Sequence, residues 1–525
     1  MTDRVVLKGE DAKALWKKGK DEWNKWVADN PDADIDFSNV SFGDDDVTEW
    51  IDEFENQRKG FNFKGFHFPS GEVNFNRAEF GDRDVSFFEA KFGKGEVSFR
   101  EAKFGKGEVS FREAKFGDGE VDFSFAKFGE GDVSFIGADF GKGNVSFTGV
   151  GFGDGKVGFY YAEFGDGKVD FSFAKFGEGE VVFVDAKFGD GDVNFHRAEF
   201  GDGEVGFVRA KFGKGEVSFW EAEFGDGDVH FWETKFGDGE VAFDDAKFGD
   251  GDVYFWEAKF GDGKVSFSSV EFGKGDVSFY RAEFAGSKVD FNLAKFQGDT
   301  QFEAVELSPE CKTFSFKKAS FDGPFSLSFA DENQDIAEVN CVPDLINTKT
   351  SHHVDISFLK CRPKGVRSRD PNESRDMQDL PRLTRLKELA EANKDHESAL
   401  RFHADEMRIK RKQWDVSSWF FDWLSEYGQS IQRPALLLLS MMMGLFWLTF
   451  FFSSHPWGCM PWRDVITLTI SKTLPFIGGI VIEGRAASAA LEMSDGYAPL
   501  SALFSLGSFV ALFLIGLGLR NRFRV

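Results

Sequence analysis

The stretch VSFREAKFGKGEVSFREAKFGDGE, residues 97–120, contains one 12-residue unit twice in succession. A Val stands at position 73 and at every twelfth position up to 289, and a Phe follows two residues after each Val, which makes 19 copies. Within a copy, V-x-F and A-x-F each place two apolar residues two positions apart, so both side chains face the same side of an extended segment. The repeat therefore predicts a solenoid that turns a corner after each unit.

The composition agrees with a repeated dry core, since the chain has 67 Phe and 58 Gly but only 6 Tyr. Phe brings buried area without a polar atom to satisfy, and the Gly-x-Gly that closes most copies permits positive φ or close backbone approach at a corner. The formal net charge of −26 disfavours nucleic acid, which proteins bind through Lys and Arg. It also disfavours a bare acidic membrane surface as partner of the repeat.

The units VSFRE and AKFGK match the signature of the pentapeptide-repeat family, a five-residue unit of the form A-x-F/L-x-x. The chain resembles this family over roughly residues 61–330, and it departs from the family pattern by two extra residues after every second unit. The resemblance implies an all-β, right-handed quadrilateral β-helix in which two copies form a coil of 24 residues. At about 4.8 Å per coil, the 19 copies would make a rod of about 45 Å.

The flanks of the repeat are interpreted as its ends. Residues 1–60 are expected to form an N-terminal helical cap, with an amphipathic helix over 10–31, a first coil at 35–42 and an inserted helix in VTEWIDEFENQ, residues 47–57. The cap would cover the open edge of the solenoid. Degenerate final coils follow residue 296, and 331–380 is predicted to be an irregular linker.

An α-helical membrane domain is predicted at 434–525. The tract PALLLLSMMMGLFWLTFFFS carries no charge over 20 residues, so spans are expected at about 434–453 and 498–519; the alternative is a buried hairpin of a soluble protein. Eight Lys and Arg flank the spans outside and three lie between them, which predicts that both termini and the β-helix lie in the cytoplasm.

The start of the chain shows no signal peptide, and the cysteines Cys311, Cys341, Cys361 and Cys459 show no disulfide framework. A bacterial inner (plasma) membrane is the expected location.

Two juxtamembrane helices are predicted within 381–433, one at about 383–412 and one at about 417–431. The second carries Trp419 and Trp423, and its aromatic residues suit a helix lying in the headgroup layer. The alternative is a helix packed in a soluble domain.

The segment between the spans, 464–482, could form a re-entrant half-helix with a pore loop at Lys472, Pro475, Phe476, Gly478 and Gly479. Irregular backbone at membrane depth must be buried in protein or line water. One such subunit cannot enclose a pore, so a channel requires a homo-oligomer. A third hydrophobic helix or an interfacial loop is the alternative, because no TVGYG-like filter is present.

Chemistry-bearing motifs are scarce, and we predict no catalytic, cofactor-binding or metal-binding residues. His396-Glu397 lacks the second His of HExxH, since position 400 is Leu. The FGDGD turns are similar to calcium-binding β-rolls, but Lys94 and Lys106 fill the Asp position, which favours a solvated charged ridge. An acidic four-sided rod could also mimic duplex DNA, as some gyrase-binding members of the family do. Anchoring in a membrane argues against gyrase as the partner of this chain.

Trp220, Trp232 and Trp256 occupy equivalent places in their copies, which predicts an aromatic partner-binding stripe in which Trp232 and Trp256 stack. Drift of the repeat is the alternative explanation. The functional hypothesis is a membrane-anchored, non-enzymatic scaffold that presents an acidic rod to a protein partner. Its alternative is an oligomeric channel whose membrane segment is gated by the β-helix.

Overall fold

The structure is a computed structural model that describes residues 4–52, 55–331, 333, 335–363, 376–411, 415–456, 459–474, 478–494 and 496–522. Two compact units, Met1–Lys364 and Gly365–Val525, make up the chain.

The repeat of the first unit folds into a parallel β-solenoid, as predicted. Each V-x-F unit opens with a short strand that pairs with the strands 24 residues before and after it: Val133 pairs with Val109 on one side and with Val157 on the other. Copies that follow each other in sequence do not pair, because each coil contains two of them. The coil therefore has four sides, two formed by V-x-F and two by A-x-F.

We number the copies from the one that begins at Val73, so that odd and even copies alternate along the chain and lie in two separate sheets. The odd sheet contains, in order, Val6–Lys8, Asp34–Asp36, Val73–Asn74, Val97–Ser98, Val121–Asp122, Val145–Ser146, Val169–Asp170, Val193–Asn194, Val217–Ser218, Val241–Ala242, Val265–Ser266, Lys288–Asp290 and Thr313–Ser315. The even sheet contains Thr48–Ile51, Gln57–Asn62, Asp84–Ser86, Val109–Ser110, Val133–Ser134, Val157–Gly158, Val181–Val182, Val205–Gly206, Val229–His230, Val253–Tyr254, Val277–Ser278, Thr300–Leu307, Phe325–Phe329 and Val354–Asp355, and Lys259–Phe260 and Glu283–Phe284 join it through Thr300–Leu307.

The A-x-F sides pair mostly through isolated parallel bridges, such as Lys103 with Lys127. Short strands form on these sides near the ends, namely Ser41–Phe42 with Glu79–Phe80, the series Glu271–Phe272, Lys295–Phe296, Ser320–Phe321 and Lys349–Thr350, and Glu338–Val339 with Lys360–Cys361.

Ladders of Phe rings fill the interior of the solenoid. Phe75 and Phe99 of neighbouring odd copies stack with ring centroids 4.7 Å apart and planes at 4°. The even ring Phe87 meets Phe75 edge-on, at 5.7 Å and 88°. Each ring thus contacts parallel rings above and below and perpendicular rings across the core, which are the two favoured aromatic geometries.

The glycines of Gly-x-Gly are required by the closeness of the coils. A Cβ on Gly117 would lie 1.8 Å from the carbonyl oxygen of Gly93, one coil away. The left-handed backbone conformation lies elsewhere, at the second residue after the V-x-F Phe, as in Glu101 with φ 57° and Arg197 with φ 53°. The sequence suggested either a positive φ or close backbone approach as the reason for glycine at the corners. In most copies the reason is the close approach of neighbouring coils.

The N-terminal end is covered by two helices, α1 (Gly9–Trp16) and α2 (Lys20–Asp29), where the sequence predicted one. The chain breaks at Gly19, which has φ 93°. Trp16 stacks on Phe63 at 5.2 Å, and its indole Nε1 donates to the carbonyl of Asn62 at 2.9 Å. The apolar face of the cap thus extends the ring ladders of the core.

The predicted inserted helix at 47–57 is wrong. A 3₁₀ turn at Asp44–Asp46 leads into Thr48–Ile51, which pairs antiparallel with Gln57–Asn62. Gln57–Asn62 in turn pairs with Asp84–Ser86 of the even sheet. The segment is extended because the edge of the sheet supplies backbone partners, and such context overrides local propensity.

The linker predicted at 331–380 is wrong for its first part, because strands continue to Cys361. Phe325 pairs with Val354, 29 positions on, and Val289 with Phe314, 25 positions on. Insertions in these last coils break the period of the sequence, while the buried side chains Leu345, Ile356 and Leu359 still fill the core.

The second unit is helical. Its elements are α3 (Asp379–Ala392), α4 (His396–Lys410), α5 (Val416–Ser425), α6 (Gln432–Phe452), α7 (Trp462–Thr473), α8 (Gly478–Ala490) and α9 (Tyr497–Arg522). The single helix predicted at 383–412 is thus two helices, α3 and α4, which pack on each other around a turn at Lys394, where φ is 60°.

Helices α6 and α9 are long and apolar enough to cross a membrane, with 21 and 26 residues and mean hydropathies of 2.1 and 2.3. Only 17% and 22% of their apolar windows are buried, which favours lipid over the buried hairpin of a soluble protein. The two helices pack closely, since a Cβ on Gly444 of α6 would lie 2.2 Å from Cε1 of Phe504 on α9.

Candidate binding face

The three Trp of the predicted stripe do not lie on one side of the solenoid. Trp232 and Trp256 follow strands of the even sheet, whereas Trp220 follows a strand of the odd sheet. Trp232 and Trp256 lie one coil apart with ring centroids at 6.0 Å, but at an interplanar angle of 77°, so they meet edge-to-face rather than stacked. Trp220 stacks instead on His196, at 4.7 Å.

The division into odd and even copies reveals a row of side chains that the sequence reasoning missed. We call the third residue after each repeat Val in even copies the even row, and its counterpart in odd copies the odd row. The even row is apolar or aromatic at eight of nine positions: Phe88, Arg112, Ile136, Tyr160, Val184, Val208, Trp232, Trp256 and Tyr280. The odd row is polar or charged at nine of ten: Asn76, Arg100, Ser124, Thr148, Ser172, His196, Trp220, Asp244, Ser268 and Asn292.

A second row runs beside the even row, formed by the residue before each repeat Val. This acid row is acidic at eight of nine positions: Asp84, Glu108, Asp132, Lys156, Glu180, Glu204, Asp228, Asp252 and Asp276. We call the two rows, together with the residues between them, the even face.

Acidic side chains of this row also support the backbone. Asp228 Oδ1 accepts a hydrogen bond from the backbone N–H of Asp252 at 2.9 Å, and Asp252 Oδ1 accepts one from Asp276 at 2.7 Å. The second carboxylate oxygen of Asp252 accepts the hydroxyl of Tyr254 at 2.7 Å. One carboxylate thus ties two coils together and also contributes to the outer surface.

The first coils of the even face enclose a groove of about 320 Å³. Its lining includes the small residues Ser110, Ser134 and Gly158, together with Asp132 of the acid row and Tyr160 of the even row. Trp50, Asp52 and Arg58 of the N-terminal hairpin also line it.

Farther along, the even face becomes an aromatic cluster. The ring of Tyr254 lies 4.8 Å from Trp256 and 5.5 Å from His230, and His230 Nε2 lies 3.1 Å from a carboxylate oxygen of Glu204. Trp232 and Trp256 remain 45% and 37% exposed. Large aromatic surface left open on a polar rod marks a candidate site of interaction.

Burial and the nearby carboxylates raise the pKa values of two tyrosine hydroxyls on the even face. Burial, followed by the hydrogen bond to Asp252, raises the pKa of Tyr254 to about 12. Burial, followed by the charge of Glu180, raises the pKa of Tyr160. Both phenols therefore keep their protons to a higher pH than an ordinary tyrosine, and Tyr254 donates a hydrogen bond to Asp252.

The described residues of the predicted pore loop lie at the end of α7 and at the start of α8. Lys472 is half-buried in the last turn of α7, and Gly478 and Gly479 open α8. Pro475 and Phe476 lie outside the described residues. Helices α7 and α8 pack closely on each other, since a Cβ on Gly484 would lie 2.0 Å from the Ser471 hydroxyl oxygen.

Helix α5 exposes an apolar face formed by Val416, Trp419, Phe420 and Trp423, each at least half exposed. It is held to α4 by Arg408, whose guanidinium lies 2.7 Å from Asp422 of α5 and 2.6 Å from Asp405 of α4. Helix α5 thus combines an open aromatic face with a fixed attachment to α4, and its position in the headgroup layer stays a prediction.

Within the ranges that the structure describes, no group of three or more His, Cys, Asp or Glu side chains is placed to hold a metal ion. No family model, curated protein or solved structure matches the chain.

Proposed function

We propose that the protein is a membrane-anchored, non-enzymatic scaffold of the pentapeptide-repeat type that presents its even face to a partner protein. The observation that carries this proposal is the contrast between the two rows: apolar or aromatic side chains fill eight of nine positions of the even row, beside the acid row, whereas polar or charged side chains fill nine of ten positions of the odd row. Drift of the repeat would distribute apolar side chains over both rows equally.

The experiment uses two equivalent Trp positions with opposite expectations. A photo-crosslinking amino acid replaces Trp232 on the even face or Trp220 on the odd face, which are 45% and 44% exposed. We expect a defined cross-linked protein from position 232 and none from position 220, in membranes of cells that express the full chain. Equal labelling from both positions would contradict the use of the even face.

The anchor is proposed to be the pair α6 and α9, in a bacterial inner membrane, with the solenoid and both termini in the cytoplasm. The excess of Lys and Arg outside the two spans supports this orientation.

Thiol labelling tests this orientation. Cys459 is exposed and reports on the segment between the spans, but Cys311 is buried and would resist a thiol reagent on either side. An added exposed thiol, Tyr161→Cys, is the proper solenoid reporter. A membrane-impermeant reagent applied outside should label Cys459 and spare residue 161; the reverse would overturn the orientation.

The segment between the spans supports a second candidate, an oligomeric channel gated by the solenoid. Helices α7 and α8 have 12 and 13 residues, or about 18 and 20 Å at 1.5 Å per residue, too short to cross a hydrocarbon core of about 30 Å. A helix pair that enters and leaves on one side is the layout of a re-entrant pore module. Single-channel steps from reconstituted protein, lost in Lys472→Ala, would favour the channel, whereas a monomer in detergent would exclude it.

A further inference from the structure

We infer that the even face binds a cationic segment of a partner polypeptide, which lies along the rod between the acid row and the even row. This inference rests on the proposed scaffold function and adds the chemistry of its partner.

The chain itself shows how a guanidinium sits on the acid row. Arg58 of the N-terminal hairpin places Nη1 3.3 Å from Asp84 and Nη2 2.8 Å from Glu108, so that one side chain bridges two successive coils. Arg58 also lines the groove. Beyond it the acid row continues through seven more coils, with Lys156 as its one basic member.

The chain likewise shows how a cation sits on the even row. Lys64 Nζ lies 4.9 Å above the ring of Phe88, at the first coil of the row. Arg281 lies 5.0 Å above the ring of Tyr280, at the last. Cations within about 6 Å of an aromatic ring face are attracted by its quadrupole. Between these ends, Trp232 and Trp256 present larger and more exposed rings.

The negative charge of the even face indicates which class of partner can bind there. Eight acidic residues repel the phosphates of an anionic lipid surface and of nucleic acid alike. The odd copies carry a weaker and mixed row at the same position, with six acidic residues and three Lys: Glu72, Glu96, Glu120, Asn144, Lys168, Asp192, Glu216, Glu240, Lys264 and Lys288. Charge complementarity therefore points to a basic polypeptide on the even face.

The geometry also limits how that polypeptide binds. The even strands run across the groove and are already paired on both edges, as Val133 is with Val109 and Val157. A partner therefore cannot add a strand and must bind through its side chains. The groove extends from Asp84 to Val182, so it crosses five coils, and the four spacings between them make about 20 Å at about 4.8 Å each. An extended segment of about six residues would fill it at about 3.3 Å per residue.

The test measures binding of a fluorescent ten-residue peptide of alternating Arg and Ser to the full chain in nonionic detergent, by anisotropy. The same peptide with Glu in place of Arg is the ligand control. Two even-face variants, each with one change in the groove and one in the aromatic cluster beyond it, are Tyr160→Ser with Trp232→Ser and Asp132→Asn with Asp228→Asn. Each should weaken binding by about tenfold or more. The matched odd-face variants, Trp220→Ser and Glu216→Gln with Glu240→Gln, should change it by less than about twofold.

The outcomes separate the inference from the function on which it rests. If position 232 cross-links a partner but the Arg peptide does not bind, the scaffold function stands and the cationic partner is wrong. Equal weakening by odd-face and even-face variants would show that the peptide binds by unspecific charge attraction. The proposed site on the even face would then be wrong. Sedimentation of the chain as a dimer that only the even-face variants dissociate would make a second copy the occupant, and would also overturn it.

Discussion

The hydroxyl of Thr234 donates a hydrogen bond of 2.7 Å to the carbonyl oxygen of Phe207. Thr234 stands where most copies have Ala, and it is fully buried. The same carbonyl also accepts the backbone N–H of Ala210 at 3.0 Å, so it keeps a partner when the hydroxyl is removed.

The first prediction concerns this position. Thr234→Val should change the free energy of unfolding by less than about 1.5 kcal/mol, the net worth of one hydrogen bond, because Val150 and Val270 are accommodated at equivalent places. Thr234→Phe should cost about 1–3 kcal/mol or more by overpacking. Urea denaturation followed by circular dichroism measures both. A Phe variant as stable as the Val variant would show that the core has room that the structure does not contain.

The second prediction compares two glycines at different positions of the repeat, Gly117 of Gly-x-Gly and Gly151 in the middle of an A-x-F unit. Gly117→Ala should destabilise the solenoid by about 2–4 kcal/mol, because its Cβ would overlap the backbone of Gly93 one coil away. Gly151→Ala is the control, since nothing lies within 4 Å of its Cβ. It should be neutral or stabilising by up to about 1 kcal/mol. Equal thermal midpoints for the two variants would contradict the stacking of the coils.

The third prediction concerns the attachment of α5. Arg408 is 5% exposed and pairs with Asp405 and Asp422, so Arg408→Ala should cost about 3–5 kcal/mol because it removes the buried cation between these two carboxylates. Arg433, which pairs with Glu426 and is half exposed, is the control. Its replacement by Ala should cost less than about 1 kcal/mol. Thermal unfolding in detergent checks this, and comparable losses from both variants would contradict the buried network.

The fourth prediction is a pH dependence. The pKa of Tyr254 is raised to about 12 by burial and by the bond to Asp252, whereas in the unfolded chain it is about 10. The contribution of the protonated Tyr254 side chain to the free energy of unfolding is therefore fully present below pH about 10 and is lost as the pH rises toward about 12. The difference in urea midpoint between wild type and Tyr254→Phe should be constant up to pH about 10 and then shrink or reverse. A difference that stays flat to pH 12 would contradict the bond to Asp252.

The regular part of the fold could be predicted because every copy repeats one pattern of apolar positions and each coil offers the same partners. The ends could not. The pairing of Phe325 with Val354 spans an irregular insertion, and the hairpin at Thr48–Asn62 is set by a sheet edge that exists only once the coils are stacked.

The candidate site was partly visible in the sequence. Alignment at a period of 12 places Trp220, Trp232 and Trp256 together, whereas the coil closes at 24 and separates the first from the other two. Comparison of every second copy would have exposed the even row and the acid row without coordinates. The edge-to-face contact of Trp232 and Trp256 could not be read this way, because it depends on side-chain rotamers.

Two copies in each coil also constrain how such a gene can change in length. Loss or gain of a single 12-residue copy, as by slippage between near-identical DNA repeats, would leave a foldable solenoid. It would turn every downstream copy by half a coil, so that aromatic side chains would continue on the opposite side of the rod. Only changes by an even number of copies preserve a continuous binding face, so copy number should vary in pairs among functional descendants of this chain.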